Sequence, residues 1–302
     1  MNEGISVEDR SANTAFAPTV SEHNMRRFTL IATVLISYVL HGQNDIELLT
    51  NIQLVWSEYS VGIDPLLKRE IILQGNELPE IVQSGFSSKV DYLNAFHPIY
   101  INADTLIDFI YQGSSGAESD LVEIFINYNG VLKSIHAEMG RILGITRIVS
   151  DSPLQLIFEQ YGCCDDPLNF RQVWTLIQDK SEIRIDKSNR IHYYEMTLFP
   201  DRIDENLMFQ VTRTPYKLRA TPEIVADENS FHNFDKGNII AEFGQGDTGY
   251  ALSSKTDETG RKWWFVIMDP TNQKSLYNVG GMKEEKWFGW MSSRYLDICN
   301  VR

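Results

Sequence analysis

Between Asp45 and Tyr59 the apolar positions Leu48, Leu49, Ile52, Val55, Trp56 and Tyr59 recur at steps of three and four, which places them on one face of a helix. Residues 60–95 keep no single period. Asp64-Pro65 and Leu78-Pro79 interrupt them, short apolar groups such as Ile71-Ile72-Leu73 lie between, and the segment predicts a helix or two with a connecting strand. After Phe96 the period changes to two. Val122, Ile124 and Ile126 alternate with Glu123, Phe125 and Asn127, then Asn129-Gly130 follows, then Leu132 to Ala137. Asn-Gly between two alternating runs predicts a hairpin, because both turn positions need positive φ. The pattern continues through Leu154, Leu156 and Phe158, Val173 to Ile177, Ile183 and Ile185, and Ile191 to Leu198, with Lys187-Ser188-Asn189-Arg190 as the turn between the last two. Short runs of this kind, with no helical period between them, predict antiparallel β structure.

One apolar run stands apart. Met25-Arg26-Arg27 precedes Phe28 to Leu40, 13 residues without a charge. As a helix it would span only about 20 Å, short of a bilayer core of roughly 30 Å. Basic residues, a short apolar stretch and a small residue, Gly42, read together as a secretory signal peptide over 25–43. A membrane anchor and a buried core helix are the alternatives. The polar residues 1–24 read as a disordered upstream extension. The expected product is exported to the periplasm, cell envelope or extracellular space, with no integral span once the signal is removed.

From Thr214 onward four blocks follow one another: Leu218-Arg219-Ala220-Thr221-Pro222, Phe234 to Ile240, Gly260 to Val266, and Phe288-Gly289-Trp290-Met291-Ser292-Ser293-Arg294-Tyr295-Leu296. In this order they resemble the bacterial Src-homology-3-like (SH3-like) domain, and the closing block is the most specific of the four. The resemblance covers about 90 of 302 residues. It implies a five- to six-stranded β-barrel at residues 206–302, in which Trp264 and Trp290 fill the core and the Tyr-Leu pair closes a one-turn 3-10 segment. It implies further that the loops form a ligand groove for a cell-wall peptide or an envelope protein, with Trp263, Trp287 and Tyr295 as the ligand-facing candidates. Trp287 follows the charged run Lys283-Glu284-Glu285-Lys286 and is expected at the surface, as is Trp263. The expected fold is mainly β (α+β overall): an N-terminal helix and antiparallel β domain over 44–205, then the barrel.

Composition narrows the partners. The chain carries 27 Lys and Arg against 41 Asp and Glu, a net charge of −14. Clamping a nucleic-acid backbone or an anionic lipid surface needs the opposite balance, so neither is expected. Beyond the signal segment the histidines are His97, His136, His192 and His232, without a zinc-ligand spacing, and no metal or cofactor is expected. Cys163-Cys164 precedes Asp165-Asp166, and two carboxylates raise a thiol pKa rather than activating it. Either these thiols are free in a turn, or one of them pairs with Cys299 after export. Gly-x-Ser-x-Gly is absent, and Gly244-Gln245-Gly246-Asp247-Thr248-Gly249 reads as a hairpin loop rather than a phosphate cradle, since no helix follows. No catalytic residue emerges. The chain reads as a non-catalytic exported binding protein. A cell-envelope hydrolase with its catalytic domain at 44–205 is the rival reading, and a barrel serving only as a structural appendage the third.

Overall fold

The structure is a computed structural model that describes residues 54–73, 89–115, 120–146, 152–161, 168–179, 182–188, 190–225, 237–269, 274–275 and 285–298. The signal segment 25–43, His232 and all three cysteines lie outside the described residues. Among the described residues no helix is long and apolar enough to cross a membrane.

Three short helices come first: α1 (Trp56–Tyr59), α2 (Pro65–Leu73) and α3 (Lys89–Asn94). Of the helix expected over 45–59, only its last turn, α1, is described. Asp64-Pro65 starts a helix instead of interrupting one. Asp64 Oδ1 accepts the Leu66 and Leu67 amides at 2.9 and 3.1 Å, and Pro65, which has no N–H to leave unpaired, takes the first helical position.

The first sheet is an antiparallel meander of β1 (Phe96–Ile99), β2 (Asp108–Ser114), β3 (Asp120–Tyr128) and β4 (Val131–Met139). Asn129 and Gly130, at φ 54° and 93°, turn the chain from Tyr128 to its partner Val131, as the sequence predicts. Both faces are covered. Phe96, Phe109, Tyr111 and Phe125 pack with Ile72 and Tyr92 of the helices, while Ile110, Val122, Ile124 and Ile126 pack against Leu156, Phe158 and Trp174 of the second sheet.

That second sheet begins with β5 (Arg141–Thr146), β6 (Leu154–Gln160), β7 (Leu168–Asp179), β8 (Glu182–Lys187) and β9 (Ile191–Tyr194). It continues through β10 (Leu207–Val211), β11 (Tyr216–Arg219), β12 (Ile239–Phe243), β13 (Thr248–Thr256), β14 (Lys262–Met268), β15 (Lys274–Ser275), β16 (Lys286–Ser292) and β17 (Leu296–Ile298). β7 is long enough to take two partners on one edge: β9 pairs with Leu168–Arg171 and β8 with Trp174–Asp179. Lys187 to Arg190 therefore does not reverse the chain, contrary to expectation. Ser188 holds the end of β8, its N donating to Val173 O and its Oγ accepting from Val173 N, both at 2.9 Å, while Asn189 lies outside the described residues.

The fold is mainly β with antiparallel sheets, as expected, but among the described residues no barrel closes. Strands run in the order β17-β10-β13-β14-β16, and β16 passes into β17 through a 3-10 turn, Ser293–Tyr295, instead of pairing with it. The sheet also continues past residue 205, because β9 pairs in parallel with β16 at Ile191↔Lys286 and His192↔Trp287. The described residues belong to one compact unit.

The two faces of β14 and β16 feed different cores. Trp263, Phe265, Ile267, Phe288 and Trp290 pack with Ile157, Val173 and Tyr193 beneath Phe199 and Ile203 of the connecting segment. Trp264, Val266, Met268, Trp287 and Met291 face the other way, onto Phe209, Val211, Leu218 and Phe243. The surface positions expected for Trp263 and Trp287 are thus corrected: they are 1% and 0% exposed. A strand flanked on both edges and covered on both faces has no solvent side, whatever charges precede it.

Candidate ligand-binding site

Among the described residues β11 and β16 share one backbone pair, Arg219↔Trp290. Gly289 allows that approach: a Cβ there would come within 2.7 Å of Arg219 O and 2.9 Å of Leu218 Cγ. Toward Tyr216 the strands are bridged instead by a side chain, the Tyr216 hydroxyl donating to Ser292 O. The wedge they leave is a cavity of about 330 Å³, bounded by β11, the start of β14 and the 3-10 turn.

Its wall is cationic. Arg213, Lys217, Arg219, Arg261 and Arg294 all line it, and no Asp or Glu among the described residues does. In a chain of net charge −14 this is a local inversion. Arg219 is the deepest of the five, 8% exposed. Its Nη1 donates to Asn238 Oδ1 at 2.7 Å, and Asn238 is fixed in turn by donating Nδ2 to Thr221 and Glu223. Burial, with Arg261 nearby, pulls the Arg219 ionisation below its ordinary value.

Aromatic rings hold three of the other cations. The Arg261 guanidinium lies 5.7 Å from the Trp263 ring centre, and those of Arg213 and Arg294 lie 4.8 and 5.3 Å from that of Tyr295. Arg213 also donates Nη1 to the Tyr295 hydroxyl. The rings themselves are locked. Trp263 donates Nε1 to Asp257 Oδ2 at 2.9 Å, Tyr295 stands edge-on to Tyr216 at 5.5 Å, and Tyr295 O accepts the Thr212 amide. Bonds from Thr259 and Trp263 hold the Asp257 carboxyl well below the usual carboxylate range. Burial pushes the Tyr216 phenol upward.

Of the ligand-facing candidates, Trp263 and Tyr295 therefore border one cavity and Trp287 does not. The five cations went unread in the sequence. A local signal was present, since Arg261 is two residues from Trp263, Arg294 is next to Tyr295 and Arg213 is three from Tyr216.

Among the described residues of 44–205, Asp108 and Glu159 are buried acids committed to structural partners. Burial raises Asp108 to about 6, and its oxygens accept the Ile101 and Asn127 amides at 2.9 Å. Glu159, 1% exposed, binds Arg141, Arg171 and the Tyr193 hydroxyl; burial works to raise its pKa, and these partners outweigh it. Gly244 to Asp247 form a tight turn between β12 and β13, which pair with different strands and so make no hairpin. Among the described residues no three His, Cys, Asp or Glu side chains group as a metal site.

Comparison with known proteins found no similarity: no family model, no curated protein and no solved structure matches the chain.

Proposed function

We propose that the chain is a non-catalytic exported protein that binds a cell-wall peptide or a segment of an envelope protein in the wedge between β11 and β16. The observation that carries the reading is the wall of that cavity. It offers fixed donors and enclosed rings, but among the described lining residues its one aliphatic hydroxyl, Ser292, has no histidine or carboxylate to activate it. Ser292 Oγ instead accepts the Arg294 amide at 3.4 Å. Three of the four sequence blocks that resemble the SH3-like family supply the walls: Arg219 from the first, Arg261 and Trp263 from the third, Ser292, Arg294 and Tyr295 from the last. Export rests on the pattern Met25 to Gly42 alone.

Titration of the full chain with soluble peptidoglycan fragments tests the reading. The expected result is saturable binding, without turnover, that Tyr295→Ala weakens while the protein stays folded. Hydrolysis of the fragments, or binding indifferent to Tyr295, overturns it.

A further inference from the structure

Arg219 is a buried cation. Among the described residues it makes no ion pair with a carboxylate. Its side-chain bonds all leave from Nη1, to Asn238 Oδ1 and to Val225 O at 3.5 Å. Nε and Nη2 have no partner there. Neither is sealed away, since the buried side-chain polar atom left without a partner among the described residues is Trp287 Nε1. A guanidinium fixed through one terminal nitrogen presents its remaining edge, Nε–H beside Nη2–H, as two parallel donors. That edge matches the two oxygens of a carboxylate.

The cost of the arrangement points the same way. Burying a positive charge with no anion is unfavourable, and Arg261 nearby adds repulsion. A bound anion relieves both.

We propose that the wedge between β11 and β16 recognises a short peptide through a free carboxylate held on the open edge of Arg219. This rests on the binding reading above and names the chemistry of its ligand. Arg213, Arg261 and Arg294 surround the anchor, and exposed Ile224 at the rim offers the peptide an apolar contact. The rings orient the cations and do not serve as platforms. Trp263 is enclosed, and Tyr295 carries guanidinium groups of two arginines. Base stacking needs open ring faces, so this is a poor seat for nucleic acid. Ligand length follows from charge. Beyond a screening length of about 8–10 Å the favourable field of the groove fades, and a long polyanion would meet a protein of net charge −14.

The test uses the full chain and a pentapeptide library made in three forms: free C-terminal acid, C-terminal amide, and amide with one internal Glu. Inorganic phosphate and a short thymidine oligonucleotide are the further probes, and binding is read by calorimetry. An acid-bearing form is expected to bind about 10- to 100-fold more tightly than the plain amide, and which of the two does so identifies the source of the carboxylate. Arg219→Gln removes that discrimination. Arg213→Gln, at the exposed mouth, lowers the preference for acid over amide several-fold, which keeps the test decisive if Arg219→Gln fails to fold. Equal binding of acid and amide overturns the carboxylate and leaves a peptide groove standing. Preference for phosphate or the oligonucleotide also overturns it, and no binding of any probe overturns both readings.

Discussion

Trp287 and Trp290 stand three residues apart on β16 and face opposite sides of the sheet, both enclosed. Trp290 donates Nε1 to Leu198 O at 2.7 Å, tying the strand to the segment that crosses it, whereas Trp287 Nε1 has no partner. Truncation of either to alanine is expected to cost about 3–5 kcal/mol, since each empties a packed core. Substitution by phenylalanine separates them. Trp290→Phe leaves Leu198 O unpaired and is expected to cost about 1 kcal/mol more than Trp287→Phe. Urea unfolding of the four variants checks both statements, and a wild-type melt for Trp287→Ala would show that β16 is placed in the wrong register.

Glu159 holds two arginines in a nearly closed site. Glu159→Gln keeps the shape and removes the negative charge that faces Arg141 and Arg171, whose side chain is 14% exposed. The expected loss is about 3–5 kcal/mol, as for other broken buried pairs. Double substitution with Arg171→Met should recover part of it, and the same unfolding measurement reports that recovery.

His97 stacks on Trp56, ring centres 3.8 Å apart and planes 4° from parallel. Burial, and secondarily the charge of Lys68, lowers its pKa from 6.5 to about 4. Between these values the unfolded chain binds a proton that the folded chain refuses, so the His97 contribution to stability falls as the pH drops from 6.5 to 4. His97→Gln should flatten that part of the stability–pH curve. An imidazole titration midpoint near 6.5 in the native protein would contradict this assignment.

Gly289 sets the distance between Arg219 and Trp290. Gly289→Ala places a methyl against Arg219 O and Leu218 and must spread β11 from β16. It is expected to cost about 1–3 kcal/mol, as overpacking does, and to weaken ligand binding beyond the loss of stability because the Arg219 edge moves. Amide exchange along β11 and β16, measured with binding, distinguishes local spreading from global unfolding.

Where the controlling interaction is local, the residues alone were enough. Asn129-Gly130 makes its turn because those two residues tolerate positive φ, and the period of two after Phe96 names strands whatever their neighbours. Tertiary structure decided the rest. Lys187 to Arg190 looks like a turn, yet β7 is long enough to pair both flanking strands along one edge. Alternation along β16 separates Trp287 from Trp290 but cannot say which face meets solvent, and neither does, because what covers a face comes from distant chain. The candidate site is the extreme case. Its cations come from residues 213–219, 261 and 294, and only the meeting of β11, β14 and the 3-10 turn turns scattered charges in an acidic chain into one positive cavity.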